Sequence, residues 1–142
     1  MQLDTYLFFN GDCAAALDLY QAAFGAQVVA LIRFRDTPDG GNAPPEWQDK
    51  IMHAVFRVGQ NEVMVSDGRD GQQSKAYTGF TLSFVADDAQ AGERIFNKLA
   101  EGGKVLMPWQ STFWARGFGM LMDRFGVPWM INAAGESEAQ AA

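Results

Sequence analysis

The order of predicted secondary-structure elements repeats once along the 142 residues of the chain, and this repeat constrains the fold more than any single motif. Hydrophobic alternation and helical periodicity predict a strand, a helix and three more strands in the first half, and the same order again in the second half. A candidate carboxylate cap precedes each predicted helix, at Asp12 and at Asp87-Asp88. Repetition of architecture at half the chain length, with little sequence identity, indicates an internal duplication.

The limits of the predicted elements follow from these periodicities and from the glycines that interrupt them. In the first half we predict a helix from Cys13 that Gly25 ends, with strands over residues 6–9, 28–34, 51–58 and 62–67. In the second half we predict a helix that stops at Gly102, with strands over residues 80–85, 105–108, 118–123 and 127–132. Residues 36–50 are turn formers and charges, and a loop of this length is usually a lid, a binding loop or a disordered segment. Residues 133–142 are small and polar and are predicted to form a flexible tail.

Composition excludes several classes of function. Eleven Lys and Arg against 17 Asp and Glu give a net charge of −6, which is a poor match to nucleic acid or to anionic lipid. The sequence has no run of about 18 apolar residues that could span a membrane, and its N-terminus lacks the basic region of a secretion signal. Its single cysteine, Cys13, excludes an internal disulfide and a CxxC motif. We therefore expect a cytoplasmic protein.

Five stretches carry a resemblance to a known family: YLFFNG at 6–11, HA at 53–54, VMVSD at 63–67, FWARGFG at 113–119 and DRFGVPWMIN at 123–132. With them, the chain resembles the vicinal oxygen chelate superfamily, which includes glyoxalase I, extradiol dioxygenases and bleomycin-resistance proteins, and within it the PhnB-like branch. The resemblance implies an α+β fold of tandem βαβββ modules that form a curved, mostly antiparallel sheet cup. It also implies a single domain over residues 1–132, with modules at about 3–68 and 79–132, a homodimer and a small-molecule ligand.

The resemblance also implies where a metal site would lie. Metal-using members of the superfamily place a His or a Glu on the first and last strand of each module. In this sequence those positions fall on Phe80 and Met130 in the second module, and near Thr5 or Tyr6 and near Val65 in the first. None of these residues is a good ligand for a hard divalent ion. We therefore predict that the standard metal site is absent and that no cofactor is bound.

His53 and Asp67 are the candidate catalytic residues. The predicted strands 51–58 and 62–67 form a hairpin. If the turn between them takes three residues, 59–61, then His53 lies opposite Asp67 across the hairpin. A carboxylate beside an imidazole is the usual arrangement for a general base or for an anion-binding donor. The alternatives are a hydrogen-bonded structural histidine, or a pair on the other sheet face if the turn takes two residues.

Two other side chains resemble nucleophiles. Cys13 lies at a predicted helix N-terminus, where the pKa of a thiol can fall, but the sequence offers no partner base, so a buried small residue is the favoured interpretation. Ser66 lies beside Asp67, but no GxSxG elbow surrounds it. We interpret Ser66 as a hydrogen-bonding residue at the end of a strand.

A cluster of aromatic residues near the C-terminus is the candidate ligand-binding surface. A pocket could be lined by Trp109, Phe113, Trp114 and Phe118, with Arg116 binding an anionic group. The alternative is a packed domain or dimer interface, where Trp, Phe and Arg are also enriched. Loop 36–50 has the same ambiguity, since it is either a lid with Trp47 as its hydrophobic latch or a solvated insertion. The full set of predicted ligand-binding residues is Trp47, Trp109, Trp114, Arg116, Phe80 and Met130.

Gly117-Phe118-Gly119 resembles the start of a dinucleotide-binding fingerprint. No predicted strand leads into it, and the residues that follow are predicted as a strand rather than a helix, so the context of a phosphate cradle is missing. We interpret Gly117 and Gly119 as bare positions at which a strand bends or another surface lies close.

Three functions are consistent with these features. The first is a PhnB-like small-molecule-binding protein without the standard divalent metal site, and the second is a metal-dependent enzyme of the glyoxalase or dioxygenase type. The third is a ubiquinone-type methyltransferase, because relatives of the PhnB-like branch have carried that label. Methyltransferase chemistry usually needs a glycine-rich turn after a first parallel strand, and here the first strand is followed by Asn10-Gly11-Asp12, with a single glycine. The sequence leaves open whether the protein is an enzyme.

Overall fold

The computed structural model of the protein describes residues 1–68 and 77–133. These residues form two compact units, one on each side of the gap, and each unit contains one α-helix and a four-stranded mixed sheet. The repeated βαβββ order predicted from the sequence is therefore confirmed. The predicted tail lies outside the described residues except for Ala133, which is the last residue of a strand. That residues 1–132 form a single domain stays a prediction.

The first unit contains β1 (Thr5–Phe8), α1 (Cys13–Phe24), β2 (Gln27–Arg33), β3 (Ile51–Val58) and β4 (Asn61–Ser66). Its strands are ordered β1-β4-β3-β2, with β1 and β4 parallel and the other two pairs antiparallel. Helix α1 ends at Gly25, whose φ of 71° is the left-handed conformation that a helix C-terminus commonly takes.

The two faces of the first sheet differ because alternate residues of a strand point to opposite sides. One face packs against α1 and buries Leu7, Ala54, Phe56 and Val65, and the ring of Phe56 lies 5.5 Å from the ring of Tyr20 on α1. The opposite face is here called the open face, and the side chains on it include those of Tyr6, Phe8, His53, Met64 and Ser66.

The second unit contains β5 (Leu82–Ala86), α2 (Ala89–Ala100), β6 (Lys104–Gln110), β7 (Phe118–Met122) and β8 (Pro128–Ala133). Its strand order, β5-β8-β7-β6, repeats that of the first unit, again with one parallel pair. Asp88 caps α2, since its Oδ1 accepts a hydrogen bond from the backbone N–H of Ala91 at 2.7 Å. The prediction that Phe80 lies within the first strand of this unit is wrong. Strand β5 begins two residues later, where Leu82 pairs with Trp129 of β8.

Residues 34–50 join β2 to β3 through three short 3-10 turns, Phe34–Asp36, Pro38–Asn42 and Pro45–Trp47. Both α-helices have 12 residues, and within the ranges that the structure describes no helix is long and apolar enough to cross a membrane.

Candidate functional site

The hairpin of β3 and β4 turns in two residues, Gly59 and Gln60, because Val58 pairs directly with Asn61. Gly59 has a φ of 57°, which suits a tight two-residue turn. The pairing of Ala54 with Val65 then places His53 opposite Ser66. The predicted pairing of His53 with Asp67 is therefore wrong, since a shift of one residue moves a side chain to the other face of a sheet.

Asp67 has a structural role instead. Its carboxylate is only 1% exposed and accepts three backbone N–H hydrogen bonds, from Gly11 at 3.0 Å, Cys13 at 2.8 Å and Ile51 at 2.9 Å. Asp67 thereby accepts hydrogen bonds from backbone N–H groups at the N-terminus of α1. This is the capping role that the sequence suggests for Asp12. The side chain of Asp12 makes no capping hydrogen bond.

His53 contacts a different group, the hydroxyl of Tyr6 on the open face. The Tyr6 oxygen lies 2.9 Å from His53 Nδ1, and the Tyr6 ring stacks on Phe8 with 4.9 Å between centroids and 22° between planes. Burial raises the pKa of Tyr6, and a hydrogen bond with Ser66 opposes part of that rise. Tyr6 is therefore a neutral hydrogen-bonding group near neutral pH. The sequence signal that could have identified it is the Tyr-x-Phe alternation, which puts both rings on one face of β1.

A cleft with a volume of about 510 Å³ lies over this part of the open face. Its floor includes Tyr6 and Phe8, and part of its wall comes from the segment that joins β2 to β3. The nine lining residues that the structure describes are all uncharged: Tyr6, Phe8, Phe34, Thr37, Pro38, Gly41, Met52, Ser66 and Gly68. All nine belong to the first unit.

The wall segment, residues 34–50, is fastened to the body of the first unit. Trp47 Nε1 donates to the carbonyl oxygen of Gly68 at 2.7 Å, and Lys50 Nζ donates to the carbonyl oxygen of Gly11 at 2.7 Å. Phe34 at the start of the segment is buried. These contacts agree with the interpretation of Trp47 as a latch and not with a solvated insertion. Trp47 does not line the cleft, so its predicted contact with a ligand stays a prediction.

The structure separates the predicted aromatic cluster into two groups in the second unit. Trp109 packs 5.9 Å from Phe96 of α2, and its ring occupies the space beside Gly92 and Gly117. Trp114, 45% exposed, instead packs edge-on against neighbouring phenylalanines, Phe113 and Phe118.

This arrangement favours packing over ligand binding as the role of Trp109. Arg116 lies on the surface near Trp114, and the proposal that it binds an anionic group is untested. The interpretation of Gly117 and Gly119 as points of close approach is confirmed, because an added Cβ would lie 2.1 Å from Trp109 and 2.5 Å from Phe96, respectively.

The register of the parallel strand pairs identifies the residues at the positions where the resemblance implies metal ligands. Met130 of β8 pairs with Ser83 of β5 rather than with Phe80, and the matching pair in the first unit is Tyr6 and Met64. Two hydroxyls and two thioethers do not suit a hard divalent ion, which prefers carboxylate or imidazole ligands. Within residues 1–68 and 77–133, no group of three His, Cys, Asp or Glu could hold a metal ion. The residues present therefore do not fit the metal of the family.

Cys13 is fully buried at the first turn of α1. Burial raises the pKa of its thiol, and the negative charges of Asp67 and Asp12 raise it further. This environment opposes thiolate formation, so the structure favours the buried-residue interpretation of Cys13 over the nucleophile.

The raised pKa of Cys13 predicts a loss of stability in alkali. The folded protein holds the thiol proton while the unfolded chain releases it above about pH 8.5, so the free energy of unfolding falls as pH rises, by up to about 1.4 kcal/mol per pH unit for this group. We expect urea unfolding between pH 8 and pH 10 to show this slope, and we expect Cys13→Ala to reduce it. An unchanged slope in the variant would contradict the assignment.

Comparison with known proteins agrees with the fold and the repeat. Residues 2–131 match the Glyoxalase/Bleomycin resistance protein/Dioxygenase superfamily. The chain is 38% identical to Protein YjdN of Escherichia coli, over 99% of this chain and 100% of that protein. It is 42% identical to the solved protein PA1353 of Pseudomonas aeruginosa, with a TM-score of 0.80 over 94% of this chain and 97% of the other.

A Bacillus cereus PhnB protein, whose description includes 3-demethylubiquinone-9 3-methyltransferase, is 25% identical, with a TM-score of 0.80 over 94% of this chain and 100% of the other. With two βαβββ units of matching strand order and a family match over almost its whole length, the chain belongs to the glyoxalase/bleomycin resistance protein/dioxygenase superfamily and has the vicinal oxygen chelate fold.

Proposed function

We propose that the protein binds a small molecule in the cleft over the open face of the first unit, without a divalent ion at the standard positions. The observation that carries this proposal is the cleft itself. Its volume of about 510 Å³ is within the range of ligand sites, which are mostly apolar with a few polar groups. The rings of Tyr6 and Phe8 supply the apolar surface, and the Tyr6 hydroxyl supplies a polar group.

The two alternative functions have less support. A metal-dependent enzyme of the glyoxalase or dioxygenase type needs ligands that Tyr6, Met64, Ser83 and Met130 do not supply. A methyltransferase activity is suggested by the description of the Bacillus cereus relative. Binding of the usual cofactor relies on a glycine-rich turn in a doubly wound sheet, whereas both sheets here are four-stranded and mixed. The proposal also includes a homodimer, which membership of the superfamily supports, and a cytoplasmic location, which the single cysteine supports.

The proposal predicts that ligand binding depends on Phe8. We expect a thermal-shift screen of a metabolite library to yield saturable ligands, and we expect Phe8→Ala to weaken their binding about tenfold, because the variant removes a ring that is 45% exposed in the cleft. The matched control is Phe113→Ala, which removes a 70% exposed ring from the second unit and should leave binding unchanged. Treatment with EDTA should also have no effect. The proposal would be contradicted if the ligands need an added divalent ion, or if they bind Phe8→Ala as tightly as the wild type.

A further inference from the structure

We propose that the cleft selects uncharged, flat ring compounds that carry one hydroxyl or carbonyl group, and that the Tyr6–His53 pair binds that group. This inference rests on the proposed function, because it specifies the class of ligand for the same cleft. Three properties of the cleft carry it: the shape of its floor, the uncharged nature of the nine lining residues in the described ranges, and the hydrogen-bonding capacity of Tyr6.

The floor of the cleft favours a flat ligand. Tyr6 and Phe8 stack with only 22° between their ring planes, and both side chains are more than one-third exposed. Phe34, Pro38 and Met52 add further apolar surface. Ring systems pack well against such surfaces in offset-stacked or edge-on arrangements.

The lining favours a ligand without charge. Two ionisable side chains of the first unit are already engaged elsewhere, since Lys50 donates to the carbonyl oxygen of Gly11 and Asp67 accepts three backbone N–H groups. Neither side chain lines the cleft. Against these described lining residues a charged ligand would lose hydration without gaining an ion pair, and burial of an unpaired charge is strongly unfavourable.

Tyr6 is the polar group that can adapt to the ligand. The hydroxyl of Thr37 already donates to the carbonyl oxygen of Phe34. Ser66 Oγ already accepts from the N–H of Gly68 and hydrogen-bonds with Tyr6, which leaves the Tyr6 hydroxyl one further hydrogen bond after those with Ser66 and His53. If His53 Nδ1 accepts the Tyr6 proton, the Tyr6 oxygen can accept a hydrogen bond from a ligand hydroxyl. If His53 Nδ1 carries a proton and donates it, the Tyr6 O–H can donate to a ligand carbonyl. A change of the His53 tautomer therefore lets the same pair bind either group.

The test uses three probes that share one ring system, namely 2-naphthol, 2-methylnaphthalene and 2-naphthoate, titrated by fluorescence against wild type, Tyr6→Phe and His53→Ala. In the wild type we expect 2-naphthol to bind about tenfold more tightly than 2-methylnaphthalene, the effect of one hydrogen bond of about 1.4 kcal/mol, and also more tightly than 2-naphthoate. Tyr6→Phe keeps the ring and removes the hydroxyl, so it should bring 2-naphthol to within about twofold of 2-methylnaphthalene. His53→Ala keeps the Tyr6 hydroxyl but removes the imidazole that contacts it and should give an intermediate ratio of about threefold.

The outcomes separate this inference from the proposed function. If all three probes bind the wild type equally, or if 2-naphthoate binds most tightly, the selectivity is wrong while the cleft remains a binding site. A preference for 2-naphthol that survives in Tyr6→Phe would overturn the role of Tyr6. If Tyr6→Phe fails to fold, the wild-type ratio and the His53→Ala ratio still decide the question. Absence of saturable binding by every probe would overturn the inference and the proposed cleft together.

Discussion

Replacement of Asp67 by alanine is expected to lower the free energy of unfolding by at least about 3 kcal/mol, because it leaves three buried backbone donors without an acceptor and each orphaned donor costs about 1–3 kcal/mol. These donors belong to Gly11, Cys13 and Ile51. They come from the turn before α1, from its first residue and from the start of β3, so the variant weakens three segments together. Urea unfolding at neutral pH measures the effect.

The matched control for this prediction is Asp12→Ala, at the position where local sequence suggests a cap. Its carboxylate accepts only a 3.3 Å hydrogen bond from the N–H of Asn10, and we expect a loss below about 1 kcal/mol. Asp67→Asn should lie between the two, because the amide nitrogen that replaces one carboxylate oxygen cannot accept a hydrogen bond. Equal losses in Asp67→Ala and Asp12→Ala would show that the carboxylate of Asp67 does not organise this region.

Gly117→Ala should produce the second large loss, of about 3 kcal/mol, through overpacking. A Cβ at this position would lie 2.1 Å from Cζ2 of Trp109 and 2.6 Å from Cε2, which is far inside van der Waals contact. The indole is also bounded by Phe96 and by Gly92 of α2, so it cannot move away freely. Thermal or urea unfolding of the single variant gives the magnitude.

A Trp109→Leu background provides the control for Gly117→Ala, since it removes the ring with which the new methyl group overlaps. In that background Gly117→Ala should cost less than about 1 kcal/mol. Gly92→Ala provides a second test of the same contact. Alanine in a helix interior normally stabilises by about 1 kcal/mol relative to glycine, but here its Cβ would lie 2.6 Å from Trp109. Gly92→Ala should therefore destabilise the wild type and stabilise the Trp109→Leu protein. If Gly117→Ala costs the same in both backgrounds, Trp109 is not the cause.

The element order could be predicted from sequence because periodicity reports which face of a strand or helix is buried. The hairpin register could not, because turns of two and three residues at Gly59 differ by a single position, and that position decides which face carries a side chain. His53 therefore lies with Tyr6 and Ser66 rather than with Asp67. The sequence contains the residues of the cleft but gives no sign that Phe34 and Ser66, far apart along the chain, line the same space.

Prediction also failed where a contact spans many residues. Asp12 matches the local pattern of a helix cap, but the group that accepts the N–H of Cys13 is 54 residues away. The prediction of one aromatic cluster failed for the opposite reason, since residues that are close in sequence do not pack together. Trp109 and Trp114 are close in sequence but pack against different partners, because Trp109 lies on β6 beneath α2 and Trp114 lies in the loop that follows.

The capping residues of the two helices are made at different stages of synthesis relative to the helices themselves. Asp88 is adjacent to α2 and can cap it as soon as that segment leaves the ribosome. The cap of α1 follows the last strand of its own unit, so the first helix waits until the chain has been made through Asp67 and β4 has joined the sheet. A nascent chain that stalls within residues 25–66 would thus hold a helix with an open N-terminus, whereas the second helix has no such dependence. The two units share one architecture, but only in the first does the cap of the helix depend on a residue that follows the last strand of the unit.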